Sequence, residues 1–122
     1  VLMISSVEYP FVKSTTFEDA LNTLLIFESD SLITVRAETS MFFQHHGHGM
    51  EAILGMEKFT RIEREALYRY SGGVIVVKTK KFKEDNALIT GKVGHIEIDQ
   101  RTSHSLKSEY DYQLAQFLYK QA

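Results

Sequence analysis

No cysteine occurs among the 122 residues. Disulfide scaffolds, cysteine-ligated zinc, iron–sulfur clusters and thiol chemistry are therefore excluded together. Proline is almost as scarce, with Pro10 standing alone. No Ser/Gly-rich linker, charge block or repeat divides the chain either, so it reads as one domain over residues 1–122. No apolar run is longer than Leu24 to Phe27, and no basic-then-apolar leader precedes it. A membrane span and a signal peptide are thus not expected, and a cytoplasmic protein is. Charge of one sign is also lacking. The 14 basic and 16 acidic side chains leave a net charge of -2, which offers no footprint for nucleic acid or an anionic membrane. What remains is 43% hydrophobic and 25% charged, the composition of a globular domain able to bury a core without a structural metal.

The patterning predicts an α+β protein. Val1 to Tyr9 reads as an extended segment. Thr15 and Glu18 have capping-box spacing, and Phe17, Ala20, Leu21, Leu24 and Leu25 form a helical stripe ending near Glu28. Ile33, Val35 and Ala37 then alternate with polar residues as in a half-buried strand, with Met41 and Phe43 in the same parity. A long helix is expected from Met50 to Tyr70, with Ile53, Met56, Phe59, Ile62, Ala66 and Tyr70 along its apolar side and Glu57, Arg61 and Glu65 on the other. Ser71-Gly72-Gly73 would close it. Three alternating stretches follow, Val74 to Lys83, Ala87 to Asp99 and Leu106 to about Leu114, and they read as an antiparallel meander. Buried parity is odd at Ile89 and Val93 but even at Ile96 and Ile98, so a β-bulge is expected at Gly94-His95. Residues 114–122 suit a helix or a strand. The expected architecture is a curved antiparallel sheet, packed against helices in a cone-like form around an internal pocket.

Several groups carry chemical potential. His45, His46 and His48 crowd a glycine-rich stretch before Met50, a pattern that suits metal binding, proton transfer or a solvated loop. The carboxylate of Glu51 comes too early for a cupin set and no second half is present, so no metal is assigned. Gly47-x-Gly49-x-x-Ala52 matches a permissive dinucleotide fingerprint, but consecutive strands follow it where a Rossmann unit needs alternation. Lys78, Lys80, Lys81 and Lys83 flank Phe82, yet fall on both faces of the expected strand. His95, Tyr110 and Tyr112 would face the concave sheet, where an imidazole and phenols can orient a ligand.

Three segments, Leu21 to Val35, His46 to Ile53 and Asn86 to Val93, resemble successive parts of the nuclear transport factor two-like superfamily, which includes ketosteroid isomerases and SnoaL-like cyclases. The resemblance implies a cone-like fold with a pocket, and isomerase or cyclase chemistry. None of that family's acid/base residues is matched by motif. Arg101 to Tyr112, taken with a long central helix, also resembles a late hotdog strand pair. That fold would imply acyl-thioester chemistry at the helix mouth near His48 and Glu51.

Two classes of function follow. One is a domain binding a small apolar ligand with an anionic or carbonyl group, with His48 and His95 as candidate acid/base residues and Phe43, Met50, Ile53, Tyr110 and Tyr112 lining the site. The pocket mouth would lie at residues 45–49, where a helix beginning at Met50 would favour negative charge. The other class is a non-catalytic interaction or assembly protein. No cofactor is assigned. A homodimer is expected, with Val74 and Val76 on the sheet's outer face as its apolar contact.

Overall fold

The computed structural model describes residues 1–38, 40–53 and 67–121. Two compact units are present, Val1–Arg36 with Tyr70–Ala122, and Ala37–Arg69. The chain is α+β, with a four-stranded mixed sheet, a separate two-stranded sheet and three helices among the described residues.

The four-stranded sheet has β1 (Leu2–Ile4), β2 (Ser31–Glu38), β5 (Leu67–Val77) and β6 (Val93–Glu97) in the order β1-β5-β2-β6. The extended N-terminal segment is thus an edge strand, antiparallel to β5 with Leu2 opposite Val77 and Ile4 opposite Ile75. At the other edge β6 runs parallel to β2, from Ser31 opposite Val93 to Val35 opposite Glu97. The expected all-antiparallel meander is corrected here. Adjacent antiparallel strands need only a tight turn, whereas a parallel pair needs a longer connection, and a helix intervenes between β5 and β6.

Helix α1 (Ser14–Ile26) follows the predicted stripe. Ala20 and Leu24 are fully buried against Leu32 of β2 and Val74 and Val76 of β5, with Phe17, Leu21, Val12 and Ile96 packed around them. Leu25 falls outside this cluster and is exposed, and the Thr15–Glu18 box does not form because the helix starts earlier, with Lys13 at the N-cap. Its C-terminus closes as a Schellman turn. Glu28 adopts φ 50°, its N–H donates to Leu25 O at 3.4 Å, and Ser29 N–H donates to Leu24 O at 3.1 Å.

Burial of Val74 and Val76 removes them as a dimer contact. The core-facing positions are Leu32, Val74, Val76 and Ile96, so the even residues of β2 point at α1, where odd parity was expected. Val35 is buried as well, and Ile33 partly, because β2 lies inside the sheet and has cover on both faces. On β6 the pairing with β2 advances one residue for one, with no bulge at Gly94-His95. Even residues face inward throughout, and Val93 is exposed.

Of two expected strands, Val74 to Lys83 is strand only through Val77, and most of Leu106 to Leu114 is helix. Thr79–Asp85 forms α2, supported by a Lys81–Asp85 pair at 3.3 Å and closed by Asn86 in the left-handed conformation. Glu109–Lys120 forms α3, where Ser108 caps the helix by accepting the N–H of Asp111 at 3.2 Å. Alternation read as a strand at Leu106 to Leu114 was a chance feature of the sequence, and the stronger local signal was the Ser108-x-x-Asp111 cap.

The smaller sheet pairs β3 (Phe43–His45) with β4 (Met50–Ala52), Gln44 standing opposite Glu51. Met50 therefore opens a strand, not a helix. The expected helix also ends in strand β5 at Leu67 to Tyr70, while Met56, Glu57, Phe59, Arg61, Ile62, Glu65 and Ala66 lie outside the described residues.

Gly72 and Gly73, expected to close a helix, instead sit buried inside β5 at φ 85° and 66°. A Cβ on Gly72 would lie 2.5 Å from Ile98 Cδ1 and 2.9 Å from Thr34 Oγ1, and one on Gly73 would lie 2.6 Å from the Tyr9 ring. Left-handed backbone interrupts the extended strand, and the Thr34 hydroxyl repairs the gap. It donates to Ser71 O and accepts the N–H of Val74 at 3.3 Å, all in a fully buried setting. Thr34→Val removes both of these buried contacts and should cost about 2 kcal/mol in urea unfolding, whereas Thr34→Ser should cost only about 1 kcal/mol for the lost methyl group. Equal losses in the two variants would show that the hydroxyl is not what holds the break.

Candidate functional site

A groove of about 760 Å³ lies within the larger unit, between Pro10–Lys13, the turn at Arg101, Leu106 and one face of α3. Tyr112, Ala115, Gln116 and Tyr119 supply that face, at the i, i+3, i+4 and i+7 spacing that aligns side chains on a helix. The volume falls within the range of small-molecule sites, about 300–1,000 Å³, and the walls are mostly apolar with a few polar groups, as such sites are.

Phe11 is the floor, and its neighbours fix it. The Arg101 guanidinium carbon lies 5.1 Å from the centre of the Phe11 ring, and the His104 ring centre is 6.4 Å away. Arg101 Nη2 also donates to Leu118 O at 2.8 Å, a carbonyl in the last turn of α3 that accepts the N–H of Gln121 as well, at 3.1 Å. His104 Nε2 lies 2.8 Å from Asp111 O, a contact that requires the proton on Nε2. Leu106 N–H donates to Glu8 O at 2.8 Å and ties the two walls together.

The position of Arg101 depends on a turn. Asp99 Oδ1 accepts the N–H of Thr102 at 2.7 Å, Ser103 N–H donates to Asp99 O at 3.0 Å, and Ser103 Oγ donates to Gln100 O at 2.8 Å. The Asp99 carboxyl is held below the usual carboxylate range, first by the Thr102 N–H and hydroxyl, with Lys13 and Arg36 adding attraction.

A second hollow of about 600 Å³ runs along α1 and the end of β6, lined by polar groups such as Asp19, Asn22, Glu97 and Thr102. Lys13 borders both hollows, and α1 carries no acidic residue in its first turn to offset that charge. The apolar groove is the better ligand site because burying hydrocarbon supplies non-directional affinity, whereas a wet polar hollow exchanges one set of hydrogen bonds for another.

The residues singled out in the sequence are dispersed. Tyr112 lines the groove, while Tyr110, two positions away and so on another side of α3, is 74% exposed. His95 stands on edge strand β6, its side chain exposed between Val93 and Glu97. Phe43, Met50, Ile53 and His48 all belong to the smaller unit. There Phe43 and Met50 are exposed on the hairpin, and Ile53 follows it.

His46, Gly47, His48 and Gly49 make the hairpin turn, with His46 N–H donating to Gly49 O at 3.2 Å and both glycines at positive φ. His46 Nε2 is 3.3 Å from Glu51 Oε2, and the His46 and His48 rings are 6.4 Å apart. Among the described residues no group of three His, Cys, Asp or Glu is arranged to hold a metal ion. No described helix is long and apolar enough to cross a membrane.

Phe11, Lys13 and Arg101 were not anticipated as site residues. The polar run Gln100 to His104 reads as a turn, and the Asp99-x-x-Thr102 spacing, at which an aspartate captures an amide ahead of it, is the local signal for its geometry. In comparisons with known proteins, no family model and no curated protein matches the chain.

The depressed Asp99 carboxyl gives a signed pH dependence. A carboxyl whose folded pKa is lowered contributes stability above its unfolded value of about 3.9, and loses it as pH falls through the folded value. Asp99→Asn should therefore be less stable than the parent at pH 7, with the gap narrowing as the pH falls below the unfolded value. Thermal unfolding across that range checks this, and a gap that is independent of pH would contradict it.

Proposed function

We propose that the protein is a binding domain for a small apolar molecule, held in the groove between Pro10–Lys13 and α3. The observation that carries this reading is the groove itself, about 760 Å³ with Phe11, Leu106, Tyr112 and Tyr119 on its walls. Exposed apolar surface of this kind is costly to leave in water, and covering it is the ordinary source of affinity for a small ligand. The proposal shares its ligand class with the sequence-based expectation but differs in place. That expectation put the pocket between helices and a curved sheet, as the nuclear transport factor two-like resemblance implies. The groove is bounded by α3 and two connecting segments.

The second support is preorganisation. Phe11 and Arg101 are fixed by each other and by α3, so binding need not order the floor of the site. A binding role needs no proton donor, and the reading is of a carrier or sensor, not of an isomerase, cyclase or thioesterase.

Titration with N-phenyl-1-naphthylamine, a neutral apolar fluorophore, tests the reading. Saturable binding at one site is expected. Tyr112→Ala removes an aromatic wall and Gln116→Trp obstructs the groove, and each should weaken binding about tenfold or more, since a buried aromatic contributes about 1.5–3 kcal/mol. Unchanged affinity in both variants would place the binding elsewhere.

A further inference from the structure

We infer that the ligand is an amphipathic monocarboxylate whose chain lies along Phe11, Tyr112 and Ala115 and whose carboxylate pairs with Arg101, with Lys13 as a second cation. The inference rests on the groove being a binding site and goes on to name the chemical class that it selects.

The charge of the lining supports this choice. Among the described residues that line the groove, two are cationic, Lys13 and Arg101, and none is acidic. In a chain whose acidic residues outnumber its basic ones, 16 to 14, that local excess runs against the whole. A cation beside apolar walls is costly for a neutral ligand to cover, because covering it removes water and returns no partner. An anion supplies the partner. The planar fork of an arginine matches a carboxylate, and the mostly apolar walls suit a ligand that is charged at one end and hydrocarbon elsewhere.

The state of Arg101 supports it further. Its Nη2 donates to Leu118 O and its plane is held over Phe11, which fixes the group without using most of its five donors. An arginine anchored in this way loses little freedom when an anion arrives. Gln116 and the phenols of Tyr112 and Tyr119 border the same space and offer neutral donors to a second carboxylate oxygen.

The test compares decanoate with decan-1-ol, equal in chain length and different in head group, on the full chain at pH 8 by isothermal titration calorimetry. Decanoate should bind about tenfold or more tightly than the alcohol, as a charge-assisted hydrogen bond contributes about 1.5–3 kcal/mol. The ratio should shrink as salt is raised from 20 to about 500 mM, because the groove is open to solvent. Arg101→Gln should bring the ratio close to one, and Lys13→Gln should lower it by less. Circular dichroism and thermal unfolding establish that the variants fold. If Arg101→Gln does not, Arg101→Lys, which keeps the charge and loses the fork, should show an intermediate ratio. Equal binding of both probes to the parent protein, abolished by Gln116→Trp, would overturn the carboxylate inference and leave the apolar site standing. Failure of both probes to bind would overturn the inference and the binding reading together.

Discussion

A single hydroxyl inside the sheet bridges an irregularity in the backbone of its neighbouring strand. β5 contains two consecutive residues in left-handed conformation, Gly72 and Gly73, with the carbonyl of Ser71 and the N–H of Val74 buried on either side of them. Buried polar groups of this kind need partners. Thr34 on neighbouring β2 serves both, one as donor and one as acceptor, which a valine of the same shape could not do. The space is matched from the other side, since Ile98 and Tyr9 fill the volume that a Cβ at either glycine would need. Strand β5, strand β2, the N-terminal segment through Tyr9 and the chain beyond β6 all meet at this point.

Once β2 is fixed, a second polar cluster decides the direction of β6. Asp30 N–H donates to Lys92 O at 2.8 Å, Lys92 N–H donates to Asp30 Oδ2 at 2.7 Å, and Ser31 Oγ donates to Thr90 O at 2.8 Å. These contacts join the start of β2 to the segment just before β6, so both strands leave the clamp in the same direction. The parallel pair follows from that common origin. Lys78 N–H donates to Asp30 O at 3.0 Å, which brings the end of β5 to the same residue.

Legibility in the sequence tracked the range of the physics involved. The stripe of α1 was readable because Phe17, Ala20, Leu21 and Leu24 encode one helical face within eight residues, and the structure buries it. Strand β2 was readable as a strand but not in its facing, because it is covered on both sides and alternation then carries little information. Asp30 and Ser31 are two small polar residues without a local pattern, and only partners some sixty residues away turn them into a clamp. The mistaken strands carried local helical signals. Ser108 with Asp111 encodes a helix start and Lys81 with Asp85 a helical pair, and both outweigh the period-two pattern of apolar residues. Tyr110 and Tyr112 show what such an error costs. On a strand they would share a face, while on α3 they diverge, and only Tyr112 lines the groove.

The candidate site was the least legible part for a related reason. Its walls come from three stretches distant in sequence, and two of them, Pro10–Lys13 and the Asp99–His104 turn, have no periodic pattern at all. The histidine cluster drew notice through composition alone, and in the structure it forms a hairpin turn for which glycine geometry is a sufficient reason. Arg101 had no such prominence. Its position follows from a chain of short-range contacts, from Asp99 to the Thr102 amide, from the turn to the arginine, and from Arg101 to Phe11 and the last carbonyls of α3. Each link is ordinary alone. Together they hold a cation against an apolar wall, and it is this pairing of charge with hydrocarbon on which the proposed amphipathic ligand rests.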